Sequence, residues 1–216
     1  MLDPNKRDLR PTILLTGFGP FPGVPINVSA DLARKTVRIA RRTFPACRFH
    51  SSVLPTEWRR APALVATLHD RYRPILALHF GVASGTQGFR LEARAENVCR
   101  ALLDAAGMPP PADRICADGP AERPTTIKIS AIAKTLEARG FPCTISDDAG
   151  GYLCNAVLYQ SLASAEMHGG AAGFIHIPSA LISPPLTMKD AVGAALDIIA
   201  VCHGAAPPAM APWARA

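Results

Sequence analysis

No run of apolar residues in this chain approaches the roughly 20 that a membrane span needs. The opening MLDPNKRDLRP is charged and lacks the apolar segment of a secretory signal. Both absences lead to the expectation of a cytoplasmic protein with no membrane partner. Six cysteines (Cys47, Cys99, Cys116, Cys143, Cys154, Cys202) include no C-x-x-C pair, and none clusters at metal-ligand spacing with the six histidines. Free thiols are expected, with no disulfide set and no metal. The net charge of +6 is accompanied by no aromatic-rich strand and no zinc-finger spacing. Its densest group is Arg34, Lys35, Arg38, Arg41 and Arg42, interleaved with Leu32, Ala33, Val37, Ile39 and Ala40 at helical spacing. That pattern reads as a solvated helix face, and no nucleic-acid partner is expected.

What is present fits one sizeable core. The 216 residues suffice for a single domain, and no repeat or linker divides them. The termini, 1–10 and 206–216, read as flexible tails. Short apolar runs at Ile13 to Leu15, in PILALHFGVASG and in AAGFIHIP read as buried strands, two of which empty into glycine-bearing loops. RFHSSVLPT and PCTISDD read as further strands. FRLEARAENV alternates and is expected to be extended or an edge strand, while Leu103 to Thr126, rich in Pro, Gly and Asp, reads as a long irregular connection. Helical periodicity marks INVSADLARKTVRIARR (with Asn27 or Ser29 as cap), EWRRAPALVATLHDRY, TIKISAIAKTLEARG, GYLCNAVLYQSLASAEMHG and LTMKDAVGAALDIIAVCHG. Strands alternating with helices predict a three-layer α/β/α sandwich around a mainly parallel, mixed and twisted sheet, in which sites form beyond the carboxyl ends of the strands.

Four segments carry unusual residues to such ends: TGFGPF, GVASG with LEARAEN, DDAGGYLCN and FIHIP. Cys154 falls one turn into a helix after two glycines. Unpaired N–H groups and the helix dipole there favour a thiolate and are suited to holding an oxyanion. Read locally, it fits a core thiol as well. His176 ends an apolar strand, Glu92 resembles an ordinary exposed carboxylate, and Phe18 and Phe21 stand on a loop as pocket walls or as core anchors.

In their order these segments resemble the pyroglutamyl-peptidase I (pyrrolidone-carboxylate peptidase) family of cysteine peptidases, from about Ile13 to Ala200. LLTGFGPFPGVPINVS is similar to its T-G-F-x-P-F-G-G-x-x-x-N-x-S opening. LHFGVASG…LEARAEN resembles its G-Q-A-G-G-R…E-R-V-A-x-N region, and DGPAERPTTIKI its G-P-A…L-P segment. DDAGGYLCNAVLYQSL is similar to A-G-T-x-x-C-N-x-x-x-Y, and GFIHIP to the histidine segment. The resemblance implies a peptidase that removes N-terminal pyroglutamate through an acyl-enzyme on Cys154, with His176 as acid–base and Glu92 as its carboxylate partner. It further implies substrate contacts at Phe18, Phe21, Asn27, Val82 and Leu153, no cofactor, pyroglutamylated peptides as partners, and a homo-oligomer (dimer or tetramer).

The chain departs from the family pattern at Val82 for Gln, Thr86 for Arg, Ala93 for Arg with Arg94 adjacent, Leu102 for Arg, and Gly151 for Thr. These departures leave a second expectation beside the first: a catalytically weakened relative that binds a lactam-like small ligand.

Overall fold

The computed structural model describes residues 8–183 and 186–205. Strands form where β-branched and aliphatic residues run together: β1 (Thr12–Phe18), β2 (Arg48–Leu54), β3 (Leu76–Val82), β4 (Phe89–Glu92), β7 (Cys143–Ser146) and β8 (Ala171–Ile177) make one sheet in the order β2-β1-β3-β8-β4-β7. Short ribbons pair β5 (Arg94–Glu96) with β6 (Glu122–Pro124), and β9 (Ile182–Ser183) with β10 (Leu186–Thr187). The helices are α1 (Val28–Thr43), α2 (Arg60–Tyr72), α3 (Ile129–Ala138), α4 (Leu153–His168) and α5 (Met188–His203).

β1, β2, β3 and β8 run parallel, whereas β4 lies antiparallel to β8 and parallel to β7. The expected mixed α/β sheet is therefore present. Glu92, however, arrives on a strand running against β8, the strand that carries His176.

Strand alternation sorts the side chains into two layers. Ile13, Leu15, Leu78, Phe80, Phe89, Leu91, Ile175 and Ile177 pack with α1, α3 and α5. Leu14, Phe18, Ala77, Ala172 and Phe174 pack with α2 and α4. The second layer also holds a polar chain: Thr16 Oγ1 bonds His79 Nδ1 at 2.7 Å, and Ser161 Oγ on α4 bonds both His79 Nε2 (2.7 Å) and His69 Nε2 on α2 (2.9 Å). All four residues are fully buried. The bonds pin two helices to the sheet beneath the ends of β3 and β8.

Three sequence readings need correction. The stretch from Phe89 breaks at Ala93, so β4 is an interior strand and β5 turns away to pair with β6. β6 itself lies inside the connection read as irregular, a stretch that side chains organise instead of ladders. Asn97 Nδ2 donates to the carbonyls of Cys116 (2.8 Å) and Gly119 (3.2 Å), its Oδ1 accepts from Cys116 N–H (3.0 Å), and Asp104 accepts from the N–H groups of Trp58, Ala106 and Met108. Alternation and apolar periodicity do not register such bonds. Third, Phe18 closes β1 instead of standing on the loop after it. Of the expected tails, 1–7 and 206–216 lie outside the described residues. Arg10, within the expected tail, donates to Pro45 O at 2.9 Å.

Burial pushes the imidazolium form of His69 down to about 4 and of His79 to about 3. The unfolded chain, with histidine near 6.5, binds these protons first. Stability from these groups is complete above about pH 6.5 and falls as the pH drops toward 4. Urea midpoints are expected to decline over that range, with a shallower decline in His69→Gln. Ser161→Ala, which strands two ring nitrogens, is expected to cost about 1–3 kcal/mol at pH 7. A flat profile would contradict the neutral buried pair.

Candidate active site

Cys154 occupies the second position of α4, whose start carries no side-chain cap: Tyr152 precedes the helix in extended conformation and lends no hydrogen bond to its first N–H groups. The lead-in is shaped by Asp148, which accepts from Gly150 N–H at 2.8 Å, and by Gly150 at φ 79°. Asn155, next to the thiol and 1% exposed, accepts from Glu96 N–H (2.8 Å) and donates to the carbonyls of Glu96 (2.8 Å) and Val98 (3.2 Å). It fastens the chain after β4 to the helix that presents Cys154.

The sheet supplies the other groups. Phe174 and His176 on β8, and Arg90 and Glu92 on β4, alternate onto the α4 face, with Arg90 paired to His176 in register. Glu92 is wholly buried, and its Oε1 accepts from His176 Nδ1 at 2.6 Å and from Arg90 Nε at 2.8 Å. With Nδ1 committed to the carboxylate, Nε2 is the ring nitrogen left for Cys154, whose charge acts on the imidazole.

Burial pulls the His176 imidazolium down. The negative charge and hydrogen bond of Cys154, and the hydrogen bond and charge of Glu92, outweigh it and lift the group to about 9. Among the thiols away from this site, burial pushes Cys143 and Cys202 up to about 11, and raises Cys47 and Cys99. Among the described residues no group of three His, Cys, Asp or Glu side chains could hold a metal ion.

Gly81 makes room for the arrangement. A Cβ at this position would stand 2.7 Å from the Phe174 ring, closer than side chains tolerate, and 3.1 Å from Cys154 Sγ, a tight contact.

The remaining sequence-predicted residues spread more widely. Phe18 is buried with its ring 6.3 Å from Phe174, whose own ring lies 4.8 Å from His176. Phe21 is half-buried on the following loop, bridged to Val24. Asn27 caps α1, taking a 2.7 Å bond from Ser29 Oγ and donating to Gly19 O, so its polar atoms hold that loop. Leu153 is buried in the α2/α4 layer, and the Val82 side chain packs against the opposite layer. Of the departures, Gly151 has a direct cause: a Cβ there would collide with the Arg100 side chain. Leu102 is half-exposed, with its carbonyl bound by Trp58 Nε1 at 2.8 Å. Arg94 lies 3.7 Å from Glu96 and 3.5 Å from Glu122, facing the β5–β6 ribbon.

Sequence reasoning missed Arg90, Phe174 and Asn155. The i, i+2 spacing of Arg90 and Glu92 on a strand was the available signal for the first. Alternation from His176 was the signal for the second.

The pattern of the pyroglutamyl peptidase family matches residues 11–195. The chain is 38% identical over 168 residues to the pyrrolidone-carboxylate peptidase of Chromobacterium violaceum, covering 77% of each. It is 32% identical over 169 residues to that of Thermococcus litoralis, covering 77% of this chain and 76% of the relative. Among solved structures, a mutant pyrrolidone carboxyl peptidase from Pyrococcus furiosus superposes with a TM-score of 0.82 at 28% identity, over 89% of this chain and 98% of the other. The pyroglutamyl peptidase I of Bacillus amyloliquefaciens gives 0.78 at 28% identity, over 89% and 96%.

Gly81→Ala is the substitution that most directly tests the packing at the thiol. The added methyl must displace Phe174 or Cys154, and misplacing a reacting group by about 1 Å costs on the order of 10² in rate. Alkylation of Cys154 by iodoacetamide is expected to slow markedly while circular dichroism stays unchanged. Wild-type alkylation in Gly81→Ala would contradict the close approach.

Proposed function

Because this chain belongs to the pyroglutamyl peptidase family, cysteine hydrolases that remove N-terminal pyroglutamate from peptides, we propose that Cys154, His176 and Glu92 are the residues that perform the reaction here. The observation that supports this most is the buried 2.6 Å bond from His176 Nδ1 to Glu92, which leaves the other face of the imidazole to Cys154.

In this reading Cys154 Sγ attacks the carbonyl carbon of the pyroglutamyl residue. The oxyanion that forms is met by the uncapped N–H groups opening α4. As the C–N bond breaks, His176 gives its proton to the leaving amine, and a thioester remains on Cys154. Water then attacks the thioester while His176 takes its proton, and pyroglutamate leaves with the thiol restored. Glu92 holds the imidazole in the required tautomer and balances its charge.

Pyroglutamate is an uncharged lactam with no free amine. Phe18 and Phe21 are proposed to take its ring, with Phe174 as the floor beside His176. Asn27, Val82 and Leu153 act in this reading through backbone and packing, since their side chains are already engaged. The same reading takes the protein as cytoplasmic, acting on pyroglutamylated peptides and not on nucleic acid or membrane. No described helix is long and apolar enough to cross a membrane. A homo-oligomer, dimer or tetramer, completes the proposal. Exposed Leu102, Leu103 and Met108 support self-association.

Cys154→Ala is expected to abolish hydrolysis of a pyroglutamyl amide with folding intact, and His176→Ala to cost on the order of 10² or more in kcat. Since Glu92 raises the His176 imidazolium, Glu92→Gln should move the alkaline limb of kcat/KM, expected near pH 9, downward. Peptides beginning with glutamine carry an ammonium that an aromatic site cannot solvate, and should not be cleaved. Turnover by Cys154→Ala would contradict the assignment.

A further inference from the structure

Glu92 Oε1 is shared by two donors, and the second is a guanidinium. Arg90 Nε lies 2.8 Å from that oxygen, and a terminal nitrogen of Arg90 lies 3.2 Å from His176 Nδ1. The imidazole nitrogen cannot accept from Arg90 while it donates to Glu92. At 2.6 Å from a carboxylate oxygen, donation to Glu92 is the state that avoids opposing lone pairs. Arg90 therefore stands as a positive charge beside a ring that its other neighbours favour as imidazolium. Its side chain is 32% exposed, against 4% for His176 and none for Glu92.

Resting on the triad proposed above, we infer that Arg90 is a positioning residue that holds the carboxylate and, by its charge, sets the pH range over which the Cys154–His176 pair is active. Two effects are joined in it. The bond from Nε fixes the Glu92 carboxylate, whose Oε2 has no partner among the described residues and whose Oε1 is also held by the imidazole. The charge opposes proton binding at every neighbouring site. The groups that face His176 are Glu92 and Arg90 from β4 and Cys154 from α4. From β3, Gly81 pairs with His176 in register, and the neutral, buried His79 stacks on Phe174. With thiolate, imidazolium, carboxylate and guanidinium present, the site sums to zero charge. Without Arg90 it carries a net negative charge beside the buried Glu92 and His176 side chains.

The sign is the same whichever protonation state the resting pair adopts. Removing a cation raises the pKa of all its neighbours. The test is the pH dependence of Cys154 alkylation by iodoacetamide, and of kcat/KM for a pyroglutamyl amide, in wild type, Arg90→Gln and Arg90→Lys. Arg90→Gln is expected to shift the acidic limb of both profiles upward by about one pH unit, a value discounted for the partial exposure of the guanidinium. Arg90→Lys, which keeps the charge, is expected to return the limb most of the way. Arg90→Met, which keeps the aliphatic stem, reads the same shift should Arg90→Gln fold poorly. Unmoved limbs with a raised KM would make Arg90 a substrate contact and overturn the inference. So would an equal shift in Arg90→Lys and Arg90→Gln, which would leave geometry without charge. Failure of the triad itself would look different: the alkylation rate of wild-type Cys154 would then show no dependence on His176.

Discussion

A carboxylate with no exposed surface, one of whose oxygens takes a 2.6 Å bond from an imidazole, is the constraint around which the rest of this structure is arranged. A buried carboxylate with no partner would lose its charge or unfold its surroundings. Here it is kept by two cationic or ionisable neighbours, one from its own strand and one from the strand beside it. Antiparallel pairing of β4 with β8 sets Arg90 opposite His176 and turns Arg90, Glu92 and His176 to one face. In a fully parallel sheet the same sequence would carry Glu92 toward the opposite end of the strand. The direction of one strand thus decides whether the ring and the carboxylate meet.

The groups around this pair are fixed by ordinary folding forces. Asn155 binds three backbone groups of the chain after β4, so the helix presenting the thiol moves with the segment that follows the carboxylate. Beneath them, the chain of Thr16, His79, Ser161 and His69 ties β1, β3, α4 and α2 together with no exposed atom to act on a substrate. Two buried polar systems therefore lie on one face of the sheet. The deeper one keeps its histidines neutral, while the one at the thiol favours a charged histidine. Proximity to opposite charge accounts for the difference, since both are strongly desolvated.

Much of this was legible in the sequence. Apolar runs ending in glycine-bearing loops located β1 and β3, and 3.6-residue periodicity located all five helices, because burial of one face or one stripe leaves those periods in the residues. The segments around Glu92, Cys154 and His176 were found by their resemblance to a known family, not by periodicity. Pairing direction was not legible. Four residues of β4 read the same whichever way they run, and the break at Ala93 follows from the partner β5 finds in β6, about 26 residues on. The segment from Leu103 to Thr126 looked irregular because Asn97 and Asp104 hold much of it through side-chain bonds to backbone, which leave no period. Arg90 escaped for a different reason: an arginine at a strand position next to a glycine-rich loop looks like any solvated cation until its register with His176 is known.

Acid quenching during turnover, followed by peptide mapping, tests the central claim most directly. Mixed with a pyroglutamyl ester or amide and stopped within the first turnovers, the protein should carry a pyroglutamyl thioester on the peptide containing Cys154. That adduct should persist longer in Glu92→Gln, where the base that activates the deacylating water is weakened. A pyroglutamyl group found on another residue would contradict the account. So would hydrolysis at the wild-type rate in a protein whose Cys154 has been fully alkylated.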